Sequence, residues 1–497
     1  MFQAITRMLG FLDWKAEKYV QVSLVQHKNI QGLEKQTQNQ FKIGVFIILI
    51  VSVFCFSYSF ILNQDQQVLG QSQNQTGPAN MTNIVNMPSL SDPNLKIESV
   101  ATGFDFPTGI AFLGNNDILL LEKNTGIVYR IIDGNITNPV IHLNVSSKDE
   151  RGLLGIAVTG NGESKQDDRS VFLSYTYCPK VKANVNHTSQ GCGNYVYRYK
   201  FDTENSTLIE PQLILTLPAL PGPSHNGGVL ELDKDENLYV AIGDLQSTRF
   251  NKNQTGYDTK AQNIVNGTPP DGRAGILRMT QDGKPIGNGL LGEEYPLNLY
   301  YAYGVKNSFG IDIDPISGTL WDTENGPQFG DEINLVEPGF NSGWEKVQGI
   351  WKLNQTKSKN GMYDETSDNV KLVDFDDNGK YSSPEFVWDK PVGPTALLFF
   401  ASDKLGEEYE NDIFVGSVKN GVVYHFDLDN DRESLSLTGD LSDLVLNRKD
   451  NADQIIFGEN FGIITDLQVG PDGYLYIVSG SRGTDAGAIY RIVPNLK

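Results

Sequence analysis

One of the five histidines in the 497-residue sequence, His225, stands in the run Gly-Pro-Ser-His-Asn-Gly-Gly at Gly222–Gly228. Glycines on both sides let backbone and ligand approach closely, and an imidazole changes charge nearer neutrality than other unperturbed side chains, so the run suits a general base. Asp244 follows nineteen residues on, at the end of the next strand-like run, where a carboxylate holds an imidazole in one orientation. A lone loop histidine is more often an ordinary surface residue; the carboxylate is what favours chemistry. A second stretch, Tyr301–Trp344, offers Lys306 and Asn307 at one turn, a Glu-Asn-Gly-Pro loop at Glu324–Pro327, and the pair Asp331–Glu332. Carbonyls of the Gly326–Pro327 turn are oxygen donors of the kind Ca²⁺ takes, although an ordinary charged loop has the same residue types. A third set, Asp374, Asp376, Asn378, Gly379, Ser382 and Glu385, fits the spacing of a twelve-residue Ca²⁺ loop. Pro384 and the absence of flanking helical pattern leave an acidic turn as the competing reading.

The elements that must position these groups repeat. A short apolar run, a polar turn, a run of the type D-x-L-Y-V and a Gly-led turn into I-Y-R-I recur at Pro107–Ile131, Gly152–Phe201 and Gly227–Met279. Further copies stand at Ser308–Val336, Thr395–Leu428 and Ile464–Ile492. Each copy has room for a four-stranded sheet, so the expected fold is all-β, a six-bladed β-propeller over residues 95–497. Turn chemistry agrees: Pro471–Gly473 and Asn420–Gly421 supply the fixed and positive φ angles of tight hairpins. The alternating segment Leu95–Val100 is placed to close the last blade. In such a ring, ligands lie on loops around the central channel.

Residues Ile43–Leu62 form twenty uncharged, mainly apolar residues, long enough to cross a ~30 Å hydrocarbon core as one transmembrane helix. A cleaved signal peptide has a shorter apolar run nearer the start. The 42 residues before it carry Arg7, Lys15, Lys18, Lys28, Lys35 and Lys42 against Asp13, Glu17 and Glu34, which keeps 1–42 cytoplasmic and the propeller extracellular on a single-pass chain at the cell membrane. Residues 63–94, rich in Gln, Asn, Ser and Pro, read as a flexible stalk. Cys178 and Cys192, the cysteines beyond the span, are expected to form a disulfide there. Sequons at Asn74, Asn80, Asn135, Asn144, Asn186, Asn205, Asn253, Asn266 and Asn354 make a glycoprotein possible. With 40 Lys and Arg against 61 Asp and Glu, the net charge is −21, which gives no electrostatic footprint for nucleic acid.

His-Asn-Gly-Gly at His225–Gly228, Gly-Val-Lys-Asn-Ser-Phe-Gly at Gly304–Gly310, Glu-Asn-Gly-Pro-x-x-Gly-Asp-Glu-Ile-Asn-Leu at Glu324–Leu335 and Gly-x-Asn-x-Gly-Trp at Gly339–Trp344 occur in this order. The set resembles the glucose/sorbosone dehydrogenase family, the soluble pyrroloquinoline quinone (PQQ) dependent glucose and aldose sugar dehydrogenases. The resemblance implies PQQ over the channel of a six-bladed propeller, with Ca²⁺ as a Lewis acid against the quinone. By the same resemblance His225 is the catalytic base for the sugar C1 hydroxyl and Asp244 orients it. Glu150, Lys306, Asn307 and Lys419 match positions near the cofactor. Gly326 and Pro327 present carbonyls to the active-site Ca²⁺, and Glu332 with the Ser342 carbonyl matches a second, structural Ca²⁺.

Three departures stand beside that likeness. Lys306 replaces an arginine, keeping charge without the planar fork. Glu150 replaces a glutamine, and Ile463 and Thr465 align with two arginines that grip the cofactor's carboxylates in the glucose dehydrogenase branch. The resulting expectation is an oxidoreductase that oxidises an aldose and passes electrons to an external acceptor. The alternative is a non-catalytic propeller of the same family that binds a glycan or protein partner.

Overall fold

The computed structural model describes residues 87–160, 169–179, 191–246, 258–353, 363–365, 370–480 and 486–495. The expected cytoplasmic segment 1–42, the span 43–62, most of the stalk and the sequons at Asn74, Asn80, Asn186, Asn253 and Asn354 lie outside the described residues. Among the described residues no helix is long and apolar enough to cross a membrane, and the helical segments are three-residue 3₁₀ turns such as Lys260–Gln262.

The chain folds as an all-β propeller. Its innermost strands are Pro107–Gly114, Leu153–Val158, Leu230–Leu232, Ser308–Ile313, Pro394–Phe399 and Ile463–Val469. Each touches the next in that order, and the last touches the first, which encloses a channel. The sheets are less uniform than six four-stranded copies. Seven sheets are present among the described residues, and only two have four strands. The third is widened by Phe340–Asn341 and Lys380–Tyr381, the fourth by Val445–Leu446, and Val347–Gln348, Trp351–Leu353 and Tyr363–Glu365 form a small separate sheet. These additions come from long connections between copies, where two-residue strands leave no period to read.

The middle strands look continuously apolar for a specific reason. In Asp117–Glu122, Leu119 and Leu121 pack with Leu153, Val171 and Leu173 of the second sheet, while Ile118 and Leu120 pack with Tyr476, Val478 and Ile489 of the last. Strand alternation therefore feeds two different cores, one on each side of the sheet. An apolar core lies between every pair of neighbouring sheets. Each fully buried Leu or Phe contributes about 1.5–3 kcal/mol, so no copy is stable without its neighbours.

Leu95–Phe104 pairs antiparallel with Gly487–Pro494, closing the ring between chain ends as the alternating LKIESV segment anticipates. Ordered pairing begins earlier than the stalk boundary at residue 94: Ser89–Leu90 pairs with Ile456–Glu459, and Leu90 packs on the core beside Phe457. A two-residue strand gives too little pattern to show this. Cys178 and Cys192 are joined by a disulfide at the ends of adjacent strands. The described sequon residues Asn135, Asn144, Asn205 and Asn266 are all exposed.

Candidate active site

Two close approaches of backbone build the site. A Cβ at Gly243 would lie 2.4 Å from the Lys306 carbonyl oxygen and 2.7 Å from that of His225, so only glycine lets these three segments meet. At Gly227, with φ +57°, a Cβ would lie 2.6 Å from the Ala241 carbonyl oxygen. His225 itself has φ +62°, a left-handed conformation uncommon for a residue with a Cβ, and its backbone N–H donates to Glu150 Oε2 at 2.5 Å.

His225 Nδ1 lies 2.5 Å from Asp244 Oδ1. An ionised carboxylate can only accept, so Nδ1 carries the hydrogen and Nε2 is the free basic nitrogen. Asp244 is fully buried and accepts further from Gln246 N and Trp344 Nε1, both at 2.8 Å. Burial alone raises an aspartic acid, but here His225, Lys306 and Trp344 together outweigh it and hold Asp244 below the usual carboxylate range. The His225 side chain keeps 17% of its surface accessible, which leaves the ring open to an approaching hydroxyl.

A cavity of about 810 Å³ runs along the channel beside this pair. Glu150, Asn307 and Lys419 are in its wall, together with Ile463 and Thr465; His225 joins the wall through Glu150. Glu150 also accepts from Asn307 Nδ2 at 3.3 Å, so its charge is engaged by two N–H donors. Asn307 Oδ1 is buried and has no hydrogen-bond partner. Lys306 does not reach the wall. Its Nζ donates to the Asn325 carbonyl at 2.8 Å and lies 5.7 Å from the centre of the Trp344 ring, while burial lowers its pKa against the pull of Asp244 and Glu324. The wall cation that sequence reading missed is Lys123, in the first sheet after Asp117–Glu122, whose Nζ donates to Asn124 Oδ1 at 3.2 Å.

Gly326 and Pro327 follow the wall residue Asn325 in the chain and are not themselves among the wall residues. Asp331 fixes this turn: Oδ1 accepts from Gly326 N at 2.8 Å and Oδ2 from Gly393 N at 2.7 Å. Glu332 is fully engaged elsewhere. It accepts from Gln348 Nε2 at 2.7 Å, from Gly349 N, and from Ser342 Oγ at 3.4 Å, and Ser342 Oγ donates more closely to Glu324 at 2.7 Å. Burial pushes Glu332 up to about 8 and Asp322 to about 7, and raises Glu324 well above its ordinary value.

The twelve-residue acidic loop is not gathered into one site. Asp374, Asp376 and Asn378 are held on a turn where Phe375, Asp376 and Asp377 all have positive φ, and Asp376 and Asn378 are exposed. Glu385, the expected last ligand, leads into Phe386–Trp388, and its carboxyl, raised to about 7 chiefly by burial, faces Asp431 and Glu433. Among the described residues, Asp374, Asp376 and Glu385 do not come together as a group of three acidic or histidine ligands within metal-binding reach.

Farther along the channel, Glu231, Asp312 and Asp466 line the same cavity from three different sheets. Asp466 accepts from Ile110 N at 2.8 Å, Asp312 from Phe399 N at 2.7 Å, and Glu231 from Leu232 N at 2.9 Å. Burial first, with neighbouring carboxylates adding to it, raises all three, Asp312 and Asp466 to about 7. Their common trace in the sequence is an acid with a strand-forming residue on each side within an inner strand, in LEL, IDI and TDL.

A β-propeller with a half-buried histidine held on a buried aspartate beside its channel defines a class of channel-site proteins. A family model for glucose/sorbosone dehydrogenases matches residues 104–491, and the chain belongs to that family. It is 24% identical to an aldose sugar dehydrogenase of Escherichia coli over 80% of this chain and 93% of that one. It is also 24% identical to quinoprotein glucose dehydrogenase B of Acinetobacter calcoaceticus, over 81% and 89%. The fold is shared with the PQQ-bound aldose sugar dehydrogenase of Streptomyces coelicolor, at a TM-score of 0.55 and 20% identity, covering 82% of this chain and 99% of that one.

Proposed function

We propose that this protein is a PQQ- and Ca²⁺-dependent aldose dehydrogenase that oxidises a sugar at C1 to the lactone, on a six-bladed ring held at the outer face of the cell membrane by Ile43–Leu62. The observation that carries the reading is the His225–Asp244 pair, with Nε2 left free beside a cavity of about 810 Å³. That volume lies within the range of about 300–1,000 Å³ usual for small-molecule sites. The wall has two lysines, Lys123 and Lys419, whose ammonium groups suit the carboxylates of a flat anionic quinone. Their presence answers the uncharged Ile463 and Thr465, since the positive charge comes from other sheets. The closed cycle of inner strands supports the blade count, and the Cys178–Cys192 disulfide supports an oxidising compartment.

When bound, PQQ supplies the hydride acceptor. His225 Nε2 takes the C1 hydroxyl proton as the hydride leaves, and the ionised Asp244 stabilises the imidazolium that results. Trp344 and Gln246 hold Asp244 in place. The carbonyl oxygens of Gly326 and Pro327 are hard donors of the class Ca²⁺ requires, and they would hold it on a turn fixed by Asp331. An external acceptor would be needed to take up the two electrons of each turnover.

The test adds PQQ and Ca²⁺ to the purified protein and measures cofactor binding by calorimetry and dye reduction with a panel of aldoses. Saturable PQQ binding with aldose-dependent reduction is expected. Protein that holds no PQQ and oxidises no aldose would overturn this reading in favour of a non-catalytic binding propeller.

A further inference from the structure

On the fifth sheet, strands Ile413–Ser417 and Val423–Phe426 pair antiparallel with Ile413 opposite Phe426 and Phe414 opposite His425. One step beyond Ile413 and Phe426 the same register sets Asp412 opposite Asp427, two pairs from the one that carries His425 and therefore on the same face of the sheet. Like charges directly opposite on a sheet repel. Here both converge on one nitrogen: His425 Nε2 lies 3.0 Å from Asp412 Oδ2 and 3.5 Å from Asp427 Oδ1. A single Nε2–H can serve one carboxylate fully, and among the described residues no lysine or arginine pairs with either.

From this geometry we propose that Asp412, His425 and Asp427 bind a divalent transition-metal ion of the Zn²⁺ type. One donor atom from each residue lies within 4.8 Å of the other two. Ligands about 2.0–2.2 Å from a tetrahedral Zn²⁺ stand about 3.3–3.6 Å apart, against 3.0 and 3.5 Å from Nε2 to the two carboxylates. An imidazole beside two carboxylates is a mixed nitrogen and oxygen set, which suits Zn²⁺ better than Ca²⁺, whose sites use six to eight oxygens. Two aromatic rings fix the orientation of the imidazole, which meets the Tyr409 ring edge-on with centroids 5.1 Å apart and lies 5.0 Å from the Phe414 ring. The Asp427 side chain is 62% exposed, so the ion has access from solvent and room for a water as fourth ligand.

Lys419 follows Ser417, where the first of these strands ends, whereas Asp412 precedes Ile413, where it starts. The ion would therefore sit at the end of the sheet opposite the cavity wall and tie two strand ends together, without contact with substrate.

Co²⁺ and Zn²⁺ binding to the untagged, metal-stripped full chain tests the proposal independently of aldose oxidation. Wild type should take up one Co²⁺ with visible ligand-field absorption, release it to Zn²⁺, and gain thermal stability with Zn²⁺. Asp427→Asn, at an exposed position that need not disturb folding, should weaken binding at least about tenfold, and His425→Ala should abolish the absorption. His142→Ala, at an exposed histidine elsewhere, should bind as wild type. No saturable Co²⁺ uptake by wild type, or unchanged affinity in Asp427→Asn, would overturn the site; if His425→Ala fails to fold, Asp427→Asn decides.

Discussion

Asp244 and the trio Glu231, Asp312 and Asp466 are carboxylates of one channel region with opposite electrostatics. Asp244 is fully buried, yet its pKa is lowered, because a ring nitrogen, a backbone N–H and an indole N–H all donate to it and Lys306 stands nearby. The trio receives mainly backbone donors and has other carboxylates for neighbours, so its members are raised. Burial is thus not what decides whether an acid in this channel is charged; the balance of donors and like charges decides. At the histidine that balance favours the ionised form, and elsewhere in the channel it favours the neutral one.

Breaking the charged end should have the largest effect. His225→Ala should lower kcat by about 10²–10⁴-fold with PQQ affinity nearly unchanged, the usual contribution of a positioned base. Asp244→Asn should cost less, about 10²-fold, because it misorients the ring without removing it. Steady-state dye reduction and cofactor titration on the same samples separate these effects, and a large loss of PQQ affinity in His225→Ala would contradict the assignment. Next in size are the wall cations. Lys123→Ala and Lys419→Ala should each weaken PQQ binding about tenfold or more, from loss of a charge-assisted contact of about 1.5–3 kcal/mol. Calorimetry reads this directly, and unchanged affinity in both would remove the cations from the site.

The charged end was the more legible of the two in sequence. His225 and Asp244 stand beside glycines, and Gly243 and Gly227 are needed for the contacts seen. Trp344 comes from a hundred residues away, and nothing local marks it as the donor to Asp244. Lys123 follows a strand like any surface lysine, and only closure of the ring turns it inward. Lys306 shows the reverse: its motif promised a cofactor contact, but burial against Trp344 and Asn325 makes it a support for Asp244. The acidic loop's spacing presumes one continuous turn, whereas Glu385 leads into a strand that pairs with Asp331–Val336, which the spacing does not show. The repeats were legible because each middle strand feeds two cores.

The neutral end gives the smallest effect and the clearest sign. Free aspartate titrates near about 3.9, whereas Asp312 and Asp466 titrate at about 7 in the fold. A group raised on folding holds its proton more tightly in the native state, so its contribution to stability is full below about pH 4 and is lost as pH rises to about 7. Other groups add their own slopes, so the contribution must be read as a difference between wild type and variant. Asp312→Asn and Asp466→Asn replace a raised acid by a neutral amide of similar shape. Each should gain midpoint temperature relative to wild type between about pH 4 and 7, with the difference levelling off above that, and the double variant should gain more than either because it removes two raised acids. Thermal unfolding at half-unit pH steps measures this. A difference that stays constant across the range would mean that these acids are already ionised at low pH, and that the contrast with Asp244 is one of position rather than charge.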